Sequence, residues 1–172
     1  MRFILIILPF LFFSGCVSKN SNIPTNVVQR LGVQNIQVVS QIENAALIGH
    51  KVNAQQIAQQ IKAAVSEQTR DINGPRKVKV HIVVTKYFIP NLGGNLVGFH
   101  PMLNTQVTII DAASNQKIVN SQKVWVNQAD FDGGNWMVVH SMGKESDKKY
   151  VEMVGLYSRK FRKWLLSQDK EE

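Results

Sequence analysis

The sequence predicts an α+β fold: a two-layer sandwich in which two helices cover a mainly antiparallel sheet of about four strands. Three observations carry this expectation. Strand-like and helix-like stretches follow one another as strand, helix, three strands, helix, a segregated order that favours a helical layer on one antiparallel sheet. Residues 77–85 alternate, with Val78, Val80, Ile82 and Val84 on one face and Lys77, Lys79, His81 and Thr85 on the other, the signature of a half-buried strand. Two long stretches place apolar residues at helical spacing, each able to bury one stripe against the sheet.

The elements follow in order. "LGVQNIQVVS", Leu31–Ser40, is a first strand, with Val33, Ile36, Val38 and Val39 as its apolar residues. Asn53 suits a helix N-cap, and Gln56 three residues later completes a capping-box pattern. Ile57, Ile61, Ala64 and Val65 then recur on one helical face, while Gln55, Gln59, Gln60 and Lys62 fall outside it. "DINGP", Asp71–Pro75, ends that helix in a turn. The alternating strand comes next, and a glycine-containing loop leads to a strand over about 102–110. "DAASNQK" turns it back into a partner strand over 117–127, and "ADFDGGNW" leads to a helix over about 147–167 with Ser146 as its cap. The expected core is Val80, Ile82, Val107, Ile109 and Val124, under both helices on one sheet face. No long repeat is visible.

Arg2, then the unbroken apolar run Phe3–Phe13, then Ser14-Gly15, has the anatomy of a secretory signal: a positive start, a short apolar stretch, small residues at the cut. The run is shorter than the roughly 18–20 residues a spanning helix needs. The chain's single cysteine, Cys16, follows directly. Ser14-Gly15-Cys16 resembles the lipobox of bacterial lipoproteins, with Phe13 standing where that family usually has Leu, Val or Ile. The resemblance implies cleavage before Cys16, acylation of its thiol and new amine, and a lipid anchor. In that family an aspartate after the cysteine commonly retains the protein at the inner membrane. Val17 and Ser18 therefore imply the outer membrane, facing the periplasm. The strand–helix order, with an aspartate closing a strand before a turn as in "VTIID" (Val107–Asp111), also resembles small uncharacterised envelope lipoproteins of α+β type. Residues 1–15 are accordingly expected to be a signal peptide, 16–29 a lipidated flexible tether, 30–168 one domain, and 169–172 a frayed tail.

The formal charge is +8 and includes Arg2, which leaves with the signal. For an exported chain the polyanions at hand are anionic lipids, lipopolysaccharide and cell-wall polymers. Aromatics at 8% are too ordinary for a single-strand stacking platform, so nucleic acid is not expected. The expected role is binding or assembly, with an envelope protein or an anionic lipid or polymer as partner.

The candidate sites are three. Cys16 is the lipidation site. Gly-Gly-Asn occurs twice, as Gly93-Gly94-Asn95 and Gly133-Gly134-Asn135. If both loops share one end of the sheet, they form a ligand lip with Phe99, His100 and Trp136. The first joins two strands, is not followed by Lys-Ser/Thr and lacks GxGxxG spacing, so it does not read as a phosphate loop. Third, Tyr150, Val154, Tyr157, Phe161 and Trp164 fall on one side of the last helix. Arg159, Lys160, Arg162 and Lys163 fall on the other, a face suited to anionic lipid or polymer. His50, His81, His100 and His140 are scattered, with no metal-ligand spacing, so neither metal nor cofactor is expected. There is no GxSxG elbow, and His140-Ser141 adjacency is not triad geometry. The chain is expected not to be an enzyme; the alternative is an envelope hydrolase at the glycine loops, using His100, Asp111, Asp130 or Asp132.

Overall fold

The computed structural model describes residues 31–42, 53–90, 101–127, 130 and 146–167. The elements are β1 (Leu31–Ser40), α1 (Ala54–Thr69), β2 (Arg76–Phe88), β3 (Met102–Asp111), β4 (Lys117–Asn127) and α2 (Ser146–Leu166). The strands form one sheet in the order β1-β2-β3-β4. β1 runs parallel to β2, whereas β2, β3 and β4 are antiparallel neighbours. The expected α+β sandwich with a mainly antiparallel sheet is what forms, and its one parallel pairing follows from α1, which carries the chain back between β1 and β2.

α1 starts where expected. The Asn53 side chain accepts from the Gln55 amide at 2.8 Å, satisfying a first-turn donor. Ile57, Ile61 and Val65 are buried in one stripe. In β2 the alternation separates Val78, Val80, Ile82 and Val84, all buried, from Lys79, His81 and Thr85. The last three are half-buried rather than exposed: Lys79 and His81 sit between β1 and β3, and Thr85 lies at a register shift against β3, where its hydroxyl donates to the Asn104 carbonyl. Val107 and Ile109 of β3 and Val124 and Val126 of β4 extend the buried face. α1 packs on β1, α2 on β4, and the helices pack on each other, so both cover the same face. Ser146 is already helical rather than capping α2, a one-residue shift within normal fraying of helix ends.

One polar link crosses this core. Thr105 donates to the Val124 carbonyl at 2.9 Å, which leaves the Tyr157 hydroxyl, 2.8 Å away, to donate to Thr105 Oγ1. Both side chains are fully buried, and burial pushes the Tyr157 hydroxyl above its ordinary pKa. Sheet and helix are thereby joined at a fixed register.

Candidate functional site

The last helix was the sequence's strongest surface candidate, and its basic residues separate when placed. Tyr150, Val154, Tyr157, Phe161 and Trp164 are buried, as the helical spacing requires. Relative to Arg159, Lys160 is turned about 100° one way and Arg162 about 60° the other. Each of these two flanking residues therefore meets a neighbour. Lys160 Nζ lies 2.7 Å from Asp130 Oδ1 and 4.5 Å from the centroid of the Trp125 ring on β4. Arg162 donates to the Gln68 carbonyl and grips Asp71 through both guanidinium nitrogens, one at 2.8 Å. Arg159 and Lys163 stay exposed. The expected basic face of four is corrected: two residues face solvent, and two act as struts tying α2 to β4 and to α1. The 100° wheel places side chains but not the carboxylates of other elements, so the sequence could not show the struts.

These struts carry their own electrostatics. The Arg162 hydrogen bond holds the Asp71 carboxyl below its usual range, and Asp71 in turn raises Arg162. Asp130 also accepts from the Asn127 amide at 2.9 Å, which turns the chain at the end of β4.

Asp111, a candidate carboxylate of the hydrolase alternative, is engaged in the β3–β4 turn. Its Oδ1 accepts from the amides of Ala113 and Ser114 at 3.0 and 2.9 Å, and its Oδ2 accepts from Arg76 Nε at 2.7 Å. Only 8% of Asp111 is exposed. The Ser114 amide first, and Arg76 next, hold its carboxyl well below the usual carboxylate range. The turn is completed by Asn115 in the left-handed region at φ 55°, which asparagine tolerates better than most residues. With three of its roughly four acceptor sites engaged and its pKa lowered, this carboxylate is a weak base, poorly suited to general base work.

A second set of basic residues lies at this same end of the sheet, and sequence reasoning passed over it. Leu31, which begins β1, is in register with Arg76, and Gly32 with Lys77. The Lys77 carbonyl accepts from Ala112 at 2.9 Å, and Lys117 begins β4 beside Ile110. Lys77 reaches Asn73, and Lys79 Nζ lies 3.0 Å from Asn115 Oδ1. These cations are spread over more than forty residues of sequence, and only strand register gathers them.

Other candidates lie outside the described residues: Cys16, Gly93, Gly94, Asn95, Phe99, His100, Gly133, Gly134, Asn135 and Trp136, as well as His50, Asp132, His140 and Ser141. The strands that lead into the two glycine loops, β2 and β4, both end at the sheet end opposite Leu31. Among the described residues, no group of three His, Cys, Asp or Glu side chains is placed to hold a metal.

No family model and no curated relative matches the chain. Among solved structures, a candidate lipoprotein from Caulobacter crescentus is similar with a TM-score of 0.41 at 9% identity, over 83% of this chain and 92% of that one. A hypothetical protein from Chlamydia trachomatis gives 0.39 at 12% identity, over 80% and 99%. The dodecameric PelC of Paraburkholderia phytofirmans gives 0.38 at 8% identity, over 81% and 88%. Likeness at this level carries no argument about function.

Proposed function

We propose that the chain is a lipid-anchored lipoprotein of the bacterial outer membrane, facing the periplasm, that acts by binding or assembly rather than by catalysis. The observation that carries this reading is Ser14-Gly15-Cys16 directly after the apolar run Phe3–Phe13. Two or three acyl chains, at about 0.8 kcal/mol per buried CH₂, hold a protein at a bilayer without a spanning segment. Among the described residues no helix is long and apolar enough to cross a membrane. Val17 and Ser18 after the cysteine support the outer membrane as destination. Among the described residues the core runs from Leu31 to Leu165. Binding is favoured over hydrolysis because Asp111 and Asp130 are each occupied by backbone amides and a cation. The partner is an envelope protein or an anionic lipid or polymer.

The test is to grow cells with a fatty-acid probe and read the mass of the N-terminal peptide. Acylated Cys16 at the first position is expected, and Cys16→Ser should leave an uncleaved or soluble chain. A mature protein that starts elsewhere and keeps a free thiol would overturn the reading.

A further inference from the structure

We infer that the sheet end formed by the start of β1, the start of β2 and the β3–β4 turn is a docking surface for anionic lipid headgroups. This deepens the lipid-anchor reading and rests on it. Three arginines at this end are matched by carboxylates: Arg70 by Glu67, Arg76 by Asp111 and Arg162 by Asp71. Four lysines are not. Among the described residues, Lys77 and Lys79 have only the neutral amide oxygens of Asn73 and Asn115 as partners. Lys117 opens β4 and Lys163 lies in the last turn of α2, both exposed and without a carboxylate among the described residues. Among the described residues the end therefore keeps a surplus of four positive charges. With Asp130 matched by Lys160, the connections that leave the opposite end carry Lys51 and Lys144 against Glu43, Asp132 and Glu145, so their sequence holds no positive surplus.

The anchor's point of entry selects this end. Residues 17–30 separate Cys16 from Leu31, a stretch that spans at most about 50 Å fully extended. As a random coil the same length has a root-mean-square span of about 20 Å. β1 has 10 residues, so the opposite end of the sheet lies about 33 Å further away. Turning the domain over would stretch the connection to about two-thirds of its full length, well beyond its coil span, whereas presenting the Leu31 end needs no stretching. Charges brought this near the bilayer act within the Debye length, about 10 Å at 0.1 M salt. A consequence is that the ends of β2 and β4, which lead into the two glycine loops in sequence, are turned away from the membrane.

The test uses the chain from residue 16 with Cys16→Ser, which keeps the whole core and carries no lipid. Its partition is measured onto vesicles of phosphatidylglycerol with phosphatidylethanolamine, and onto vesicles of phosphatidylcholine alone. Binding to the anionic vesicles only, weakened by salt, is expected. Lys77→Gln, Lys117→Gln and Lys163→Gln together should lower it about a hundredfold, near fivefold for each charge. Lys62→Gln, Lys86→Gln and Lys123→Gln remove the same charge elsewhere and should leave binding within about twofold. Circular dichroism confirms that both triple variants fold. Equal losses in the two variants, absence of binding, or equal binding to both vesicle types would overturn the assignment. Equal binding to a soluble polyuronate would also overturn it, giving the surface to a polymer instead. Acylation of Cys16 is read separately by mass, so loss of the anchor reading is not confused with loss of the surface.

Discussion

The two ends of the sheet are built on different terms. At the Leu31 end the connections are short and stitched by backbone. Gly74 donates to the Leu31 carbonyl at 2.8 Å, Val33 to that of Ile72 at 2.9 Å, and Asp111 to that of Gln116 at 2.8 Å. At the opposite end the connections are long: residues 41–53, 89–101 and 128–145. They hold both Gly-Gly-Asn triplets and His50, His100 and His140. Long connections in small domains are usually where function lies, because a scaffold elsewhere carries the stability. The difference teaches that the short end is fixed by backbone pairing within the sheet's own turns, while the long connections leave the chain's sequence freer to vary.

The largest effect should come from the layer that both ends share. Ile82 is fully buried in mid-strand, and Ile82→Ala should cost about 2–5 kcal/mol in denaturant unfolding. A cost below about 1 kcal/mol would mean that the covered sheet face has been misassigned. Gly32→Ala addresses the stitched end itself. A Cβ there would collide with the carbonyl oxygen and amide nitrogen of Gly74, backbone atoms that cannot swing aside. About 1–3 kcal/mol of destabilisation is expected, with faster hydrogen exchange at Val33 and Gly74. Exchange unchanged at those amides would show that the end is not a single locked unit.

Tyr157→Phe probes the opposite half, since Thr105 pairs with Val84 towards the long connections. It removes one buried hydrogen bond while Thr105 keeps the Val124 carbonyl, so about 0.5–1.5 kcal/mol should be lost. A neutral result would make the link one of register alone. The smallest shift is expected from Asp111→Asn, and it should depend on pH. The folded carboxyl titrates below its unfolded value, near 3.9. Its contribution is therefore fully present above that value and is lost as pH falls through the folded value. Melting midpoints of the two proteins should differ at neutral pH and converge in acid, below about pH 4. A constant difference across that range would assign the effect to geometry rather than charge.

What the sequence determined by itself is the layout of the domain. The period-two pattern of Val78 to Val84, the Asn53 cap and the 100° stripe from Tyr150 to Trp164 are local signals. A strand or helix must bury its apolar side whatever its neighbours are, so they foretold the elements, the covered face and the core. What only the tertiary structure decided is which charges meet. Lys160 and Arg162 were legible as basic residues but not as struts, because Asp130 and Asp71 lie 30 and 91 residues away. The lysines of the Leu31 end were invisible as a group for the same reason. β1 is parallel to β2, and β3 returns antiparallel, so positions distant in sequence become neighbours in one row. Hydrophobic burial follows periods along the chain, whereas electrostatic partners follow distances in space, and only folding converts one into the other.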